Sequence, residues 1–267
     1  MASACTQATN FGAGPVGNQQ LSTGTGGGPI PGTGPTCQPG TTSKVLPTKF
    51  LFIVDQSGSN VDGPYEHPGQ ATDPQKAFRD GVISEFVSEQ TGKAGLSWGF
   101  ISFGDTVNAY INNGSTAHPA FSDMNAMRSA LSMFMASSDV GGTSYRLALA
   151  AAHDLIQSDI AANGSTYSYR IAFLTDGYPT DYCPDPTQTS CPTTMLEGQI
   201  DADVANIINL APNGVVQMGT VYYGFPDANA EARLQRMAAD GHGQFVDTNV
   251  TKQITLNNVI QVPTTCP

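Results

Sequence analysis

The rhythm of apolar and polar positions changes repeatedly along the chain, and each rhythm predicts an element. Lys49 to Asp55 (KFLFIVD) is an unbroken apolar run closed by charged residues, the pattern of a strand buried on both faces. Asp73-Pro74 then offers a helix N-cap and a first-turn proline. Behind it Phe78, Val82 and Phe86 recur every four residues, with Ala77 and Val87 beside them, until Gly92 stops the helix. Leu96 to Phe103 predicts a second strand and Thr106 to Ile111 a third. Ser122-Asp123 opens a helix carrying Met124, Met127, Leu131 and Phe134, and Ser144 to Ile156 predicts another with Leu149, Ala152 and Ile156 on one face. Arg170 to Thr175 (RIAFLT) repeats the buried-strand pattern and ends at Asp176-Gly177. There follow a helix over Glu197 to Leu210, a strand over Val215 to Tyr223 and a helix over Asp227 to Ala239 with Asp227 as its cap. Gln244 to Asp247 predicts a short last strand, and Lys252 to Ile260 a terminal helix. Strands alternating with helices predict an α/β domain: a mostly parallel sheet with helices on both faces.

The first 43 residues break this picture, since Lys44 is the first charged residue and the run GTGGGPIPGTGPTCQPGTT has almost nothing apolar to bury. Such a segment cannot offset its ordering entropy. Residues 1–44 therefore read as a flexible Gly/Pro/Thr-rich stalk, with an r.m.s. reach of about 30 Å, ahead of a domain over 45–267.

Composition narrows the function. Net charge is −11, from 11 Lys+Arg against 22 Asp+Glu, with no basic cluster. Nucleic acid and anionic lipid headgroups both need such clusters, so neither is expected as a partner. No apolar run reaches the ~20 residues of a membrane span. The five cysteines, at 5, 37, 183, 191 and 266, form no CxxC pair. Cys183 and Cys191 share one short segment that a bridge would staple. Cys37 and Cys266 stand just outside the two ends of the folded region, where a bridge would clamp them if those ends meet. Four cysteines permit three connectivities, and reduced thiols are the alternative; oxidised pairs imply an exported protein. Cys5 follows Ala2-Ser3-Ala4, which resembles the cleavage end of a bacterial lipoprotein signal lacking its basic and apolar parts. Cys5 is thus a lipidation candidate, the one expected contact with a membrane, at the bacterial cell surface or outer membrane.

Ligands of an open parallel sheet gather beyond the carboxyl ends of its strands. There the first strand ends in Asp55-Gln56-Ser57-Gly58-Ser59, the RIAFLT strand ends in Asp176-Gly177, and Gly141-Gly142-Thr143 immediately precedes a helix. Two carboxylates and three hydroxyls form an all-oxygen set. It suits a hard cation such as Mg²⁺, Mn²⁺ or Ca²⁺ rather than zinc. Ser57 has no G-x-S-x-G elbow, no HExxH motif is present, and Gly26-Gly27-Gly28 lacks the Lys-Ser and helix of a phosphate loop.

DQSGS at 55–59, Thr143 in GGTS and Asp176 in LTDG closely resemble the metal-ion-dependent adhesion site (MIDAS) of von Willebrand factor A domains, in order and in place, over about residues 48–262. That resemblance implies a Rossmann-like, six-stranded sheet with flanking helices. It also implies a Mg²⁺-type site held by Asp55, Ser57, Ser59, Thr143 and Asp176. The expected partner is a protein that presents an Asp or Glu carboxylate, in preference to a glycan. The segment from Tyr178 to Met195 and the segment from Asn60 to Thr72 follow ligand positions directly, so Tyr178, Asp181 and Tyr182 are expected on the partner-binding rim. The function expected is adhesion or ligand binding outside the cytoplasm. The alternative is a scaffold or assembly subunit of a surface or secreted complex. An enzyme is not expected, because no general base stands beside the proposed ligands.

Overall fold

The computed structural model describes residues 44–45, 47–64, 67–164, 166–183, 196–212, 214–251, 254–260 and 264–265. The stalk (Lys44 excepted), Cys5, Cys37, Cys191 and Cys266 lie outside them.

Eight strands are present among the described residues: β1 (Lys44–Val45), β2 (Thr48–Asp55), β3 (Leu96–Phe103), β4 (Val107–Ala109), β5 (Ser168–Thr175), β6 (Val216–Tyr222), β7 (His242–Asp247) and β8 (Thr264–Thr265). Six of them form one sheet in the order β4-β3-β2-β5-β6-β7, parallel except for the antiparallel edge strand β4. The two runs without polar interruption, β2 and β5, lie side by side at its centre and are buried at every position. The expected third strand shortens to Val107–Ala109, because a turn closed by Gly104 N–H to the Thr106 carbonyl (3.0 Å) consumes its start.

The helices are α1 (Ser59–Asp62), α2 (Ala77–Glu89), α3 (Met124–Ala136), α4 (Tyr145–Asn163), α5 (Glu197–Ile208) and α6 (Ala228–Asp240). Alternation along β2 divides the core between the faces of the sheet. Leu51 and Ile53 join the apolar stripes of α4, α5 and α6, while Phe50, Phe52 and Val54 join those of α2 and α3. Trp98 stacks on Phe50 and Phe52 on this second side. Each fully buried side chain of this size contributes about 1.5–3 kcal/mol, so both faces must be covered for the sheet to stand.

Three helices differ from expectation: α4 runs past Ile156 to Asn163, α2 starts late, and the terminal helix is replaced by a turn. Asp73 is a cap, as the sequence predicts, but it caps from a distance. A single 3₁₀ turn, Pro74–Lys76, intervenes, with Gln75 and Lys76 at φ 61° and 58°, and the Asp73 carboxylate accepts from the amides of Phe78 (2.7 Å) and Arg79 (3.1 Å). The expected terminal helix is not formed. Leu256–Asn258 is a 3₁₀ turn only, and Ile254, Leu256, Val259 and Ile260 lie buried as a strap on the α2 side. The paired Asn257 and Asn258 favour turns over helix propagation. Finally β1 and β8 pair antiparallel, Lys44 opposite Thr265, which brings the two ends of the folded region together.

Candidate metal site

The strand order places the carboxyl ends of β2 and β5 next to each other, and with them Asp55 and Asp176. Both carboxylates are buried, at 0% and 2% exposure. After β2 the chain turns into α1, which swings Ser57 and Ser59 to the same edge. Their hydroxyls lie 2.8 Å apart, and Ser59 Oγ donates to Asp176 Oδ1 at 3.0 Å. Thr143 arrives from the loop before α4. The Gly58 amide donates to the Gly141 carbonyl (3.0 Å), while Thr143 and Thr180 hold each other through Thr143 N–H to Thr180 Oγ1 (3.1 Å) and Thr180 N–H to the Thr143 carbonyl (2.8 Å).

Asp55 is set deeper than the rest. Its Oδ1 accepts from the Ser57 amide at 2.8 Å and its Oδ2 from Thr175 Oγ1 at 2.6 Å, and Asn60 Nδ2 stands 3.5 Å from Oδ1. Asp176 Oδ2 accepts from Thr72 Oγ1, whose hydroxyl also reaches the Ser59 carbonyl. The site opens into a cavity of about 250 Å³ whose lining includes Ser57, Ser59, Thr143 and Asp176, together with Pro64, His67, Tyr178 and Phe225. The rings of His67 and Phe225 lie 4.3 Å apart on that lining.

The electrostatics follow from this burial. Among the described residues no Lys or Arg side chain contacts either carboxylate; every donor to them is a hydroxyl or an amide. Desolvation pushes the Asp55 carboxyl above its ordinary range. Desolvation, and next the neighbouring Asp55 charge, lift Asp176 to about 8 against the pull of Thr72, Ser59 and Arg79. Two adjacent buried acids with no cation between them must hold a proton or a positive ion. With three hydroxyls at hand, the donor set fits a hard divalent cation. Among the described residues no group of three or more His, Cys, Asp or Glu could hold a metal, so a cation here would depend on the hydroxyls as well as the two carboxylates.

The five positions expected from sequence thus lie together at one sheet edge. The rim divides. Tyr178 is half-buried and lines the cavity. Asp181 turns its Oδ2 to the amides of Arg146 (2.9 Å) and Leu147 (3.4 Å), capping α4 from a distant loop. Tyr182 is a correction: it is fully buried in the α4–α6 core, its hydroxyl is held by Asp203 (2.5 Å), and Arg146 covers its ring at 4.5 Å. An aromatic near a site reads as interface from sequence, but here the ring fills core space. Cys183 is disulfide-bonded. Sequence reading missed Thr72, Asn60, Thr175 and Thr180 as supporting groups. Of these only Thr175, at the end of a buried strand beside Asp176, left a signal.

No protein-family model matches the chain, and no curated protein sequence matches it. Its fold is similar to solved structures. One is proximal thread matrix protein 1 from the mussel byssus, with a zinc-occupied MIDAS motif: 11% identity, 83% of this chain and 48% of that one, TM-score 0.53. The chain therefore spans about half the length of the mussel protein. Others are a von Willebrand factor type A protein from Catenulispora acidiphila, with 16% identity, 75% and 38% coverage and a TM-score of 0.47, and the three N-terminal domains of the type V pili tip protein Mfa5 from Porphyromonas gingivalis, with 13% identity, 76% and 47% coverage and a TM-score of 0.47. At these identities the likeness concerns the fold. Given its strand order and flanking helices, this chain has a Rossmann-like α/β fold similar to that of the mussel protein.

Proposed function

We propose that this domain is an adhesion or ligand-binding module that holds a partner's carboxylate through a divalent cation at Asp55, Ser57, Ser59, Thr143 and Asp176. The observation that carries the reading is the pair of adjacent buried carboxylates with hydroxyls around them and no direct cationic partner, Asp176 lining an open cavity and Asp55 set behind it. When bound, the cation supplies a positive centre that an incoming carboxylate can complete. The chain's residues do the rest. Ser57, Ser59 and Thr143 offer neutral oxygens, so two carboxylates leave a divalent ion near neutrality and open to a further anion. Mg²⁺ is the proposed cation, with Mn²⁺ or Ca²⁺ able to replace it. Zinc in the MIDAS motif of the mussel protein argues against excluding zinc on donor type alone.

The cavity wall combines Pro64, Pro226, Tyr178, Tyr222 and Phe225 with the polar His67, Thr180 and Asp227, a mixed lining of the kind that binding sites use. Asp176, raised to about 8, is already placed as a ligand. Val61 and Val140, exposed at 42% and 64%, flank the site in the segments that carry Ser59 and Thr143. Exposed apolar residues beside a polar centre are a mark of interaction surfaces. Display outside the cytoplasm on the N-terminal stalk, Cys183–Cys191 and Cys37–Cys266 bridges, and a lipid anchor at Cys5 belong to the same proposal. The β1–β8 pairing, which draws the two ends of the folded region together, supports the second bridge. Among the described residues no helix is long and apolar enough to cross a membrane. A scaffold role within a surface assembly is the second reading, favoured by the apolar residues around the site.

Titrating N-acetyl-aspartate into Mn²⁺-loaded protein while following water-proton relaxation tests the reading. Displacement of metal-bound water by the carboxylate lowers the relaxation enhancement. An unchanged signal at saturating carboxylate contradicts a carboxylate-holding site.

A further inference from the structure

We propose that Arg79 is the positioning residue of this site: a single buried guanidinium ties together the two loops that carry Asp55 and Thr143 and the segment whose Thr72 holds the third ligand strand end, at Asp176. The proposal rests on the metal-site reading above. Arg79 is fully buried on the first turn of α2. Its Nη1 donates to the backbone carbonyl of Asp55, its Nε to Asp73 Oδ2 at 2.7 Å, and its Nη2 to Asp139 Oδ2 at 2.8 Å. These acceptors belong to three different segments.

Each contact lies a short step from a ligand. Asp55 is itself one. Asp73 follows Thr72, whose hydroxyl donates to Asp176 Oδ2 and lies 3.3 Å from the Ser59 carbonyl. Asp139 opens the loop that ends in Thr143, and this loop is stitched to the DQSGS segment by Val140 N–H to the Gln56 carbonyl and Gly58 N–H to the Gly141 carbonyl, both 3.0 Å. The guanidinium plane is confined between the rings of Phe134 (5.5 Å) and Tyr223 (5.8 Å), and the Tyr223 hydroxyl donates to Asn60 Oδ1 at 2.9 Å, again within the ligand segment.

A planar fork of five donors can span three acceptors in fixed directions; an ammonium cannot. The adjacent Lys76 makes the contrast within this chain. Equally buried, it reaches only one of the three segments, at Ser137 O (2.6 Å) and Asp139 (3.3 Å).

A purely structural role is the competing account, and the chain contains its own control. Lys49 and Asp159 form a partly buried ion pair (2.6 Å) at the start of β2, the opposite end of the strand from Asp55. The experiment measures Mn²⁺ affinity by electron paramagnetic resonance of free Mn²⁺, and metal-free Tm, for the full chain and its Arg79→Lys, Thr72→Val and Lys49→Met variants. Loss of outer-shell partners costs about 10–100-fold in metal affinity, and that loss is expected for Arg79→Lys. Thr72→Val, which cuts only the arm to Asp176, is expected to lose less. Lys49→Met should lower Tm and leave affinity at the parental value. The proposal is overturned if folded Arg79→Lys binds Mn²⁺ like the parent, or if Lys49→Met loses affinity as it loses Tm. Should Arg79→Lys not fold, parental affinity in Thr72→Val overturns it. A parent that binds no Mn²⁺ sinks the metal reading itself, a result distinct from undiminished binding in the variants.

Discussion

At the residue scale the site is governed by what two carboxylates do when buried together. An aspartate in the unfolded chain is ionised above about pH 4, whereas Asp176 in the metal-free fold keeps its proton up to about 8, chiefly through desolvation and then through Asp55. Between those values the native state binds more protons than the unfolded state, so metal-free stability falls as pH rises from about 5 to 8. Saturating Mn²⁺ takes the proton's place, and stabilisation by the metal grows over the same range. Thermal melts at both pH values, with chelator and with Mn²⁺, check the sign; a metal-free Tm that rises with pH counts against the buried pair. The ligand residues were legible because each interrupts a strong pattern. Asp55 and Asp176 end apolar runs, and Thr143 stands between a Gly-Gly pair and a helix. Arg79 was not, since a hydropathy pattern assigns a charged residue to solvent, and only packing shows it buried between Asp73, Asp139 and the Asp55 carbonyl. Tyr182 failed for the complementary reason: its ring alone does not say whether it faces a partner or the core.

At the element scale the loops rather than the strands set the geometry. Gly141 has φ 80°, and a Cβ there would stand 2.3 Å from Asp105 Oδ2, while Asp105 Oδ1 accepts from the Gly142 amide at 2.6 Å. Gly164, with φ 68° at the end of α4, has nothing within 4 Å of a Cβ. Positive φ disfavours alanine at both positions, by about 1–3 kcal/mol at Gly164, whose φ 68° and ψ −178° fall in a region essentially restricted to glycine. Gly141→Ala adds the clash, so its Tm should fall further than that of Gly164→Ala, at about 2–4 °C per kcal/mol for a domain of this size. Its Mn²⁺ affinity should fall as well, because the displaced loop carries Thr143. Equal losses in both variants, with affinity intact in Gly141→Ala, would argue that the loop does not hold the ligand in place. Strand positions were readable from sequence because burial on both faces leaves an uninterrupted apolar run, as in β2 and β5. The terminal strap was not, because its apolar residues Ile254, Leu256, Val259 and Ile260 space like a helix yet pack with little regular hydrogen bonding.

At the scale of the whole molecule, one sheet edge collects the ligand loops and the cavity, while the two ends of the folded region meet in the β1–β8 pair. Order along the chain made this legible: alternating strands and helices fix a parallel sheet, and a parallel sheet fixes which loops meet. The loop-to-loop contacts by which Thr72 and Asp73 support the site depend on tertiary packing that no local pattern encodes. On the reading proposed above, this edge binds a divalent cation through Asp55 and Asp176. Calorimetric titration of Mg²⁺ and Mn²⁺ into chelator-stripped protein, beside the Asp55→Ala and Asp176→Ala variants, tests this. Binding at one site is expected in the parent and its loss in both variants, each still folded by circular dichroism. Binding that survives both substitutions would place the cation elsewhere and contradict the account.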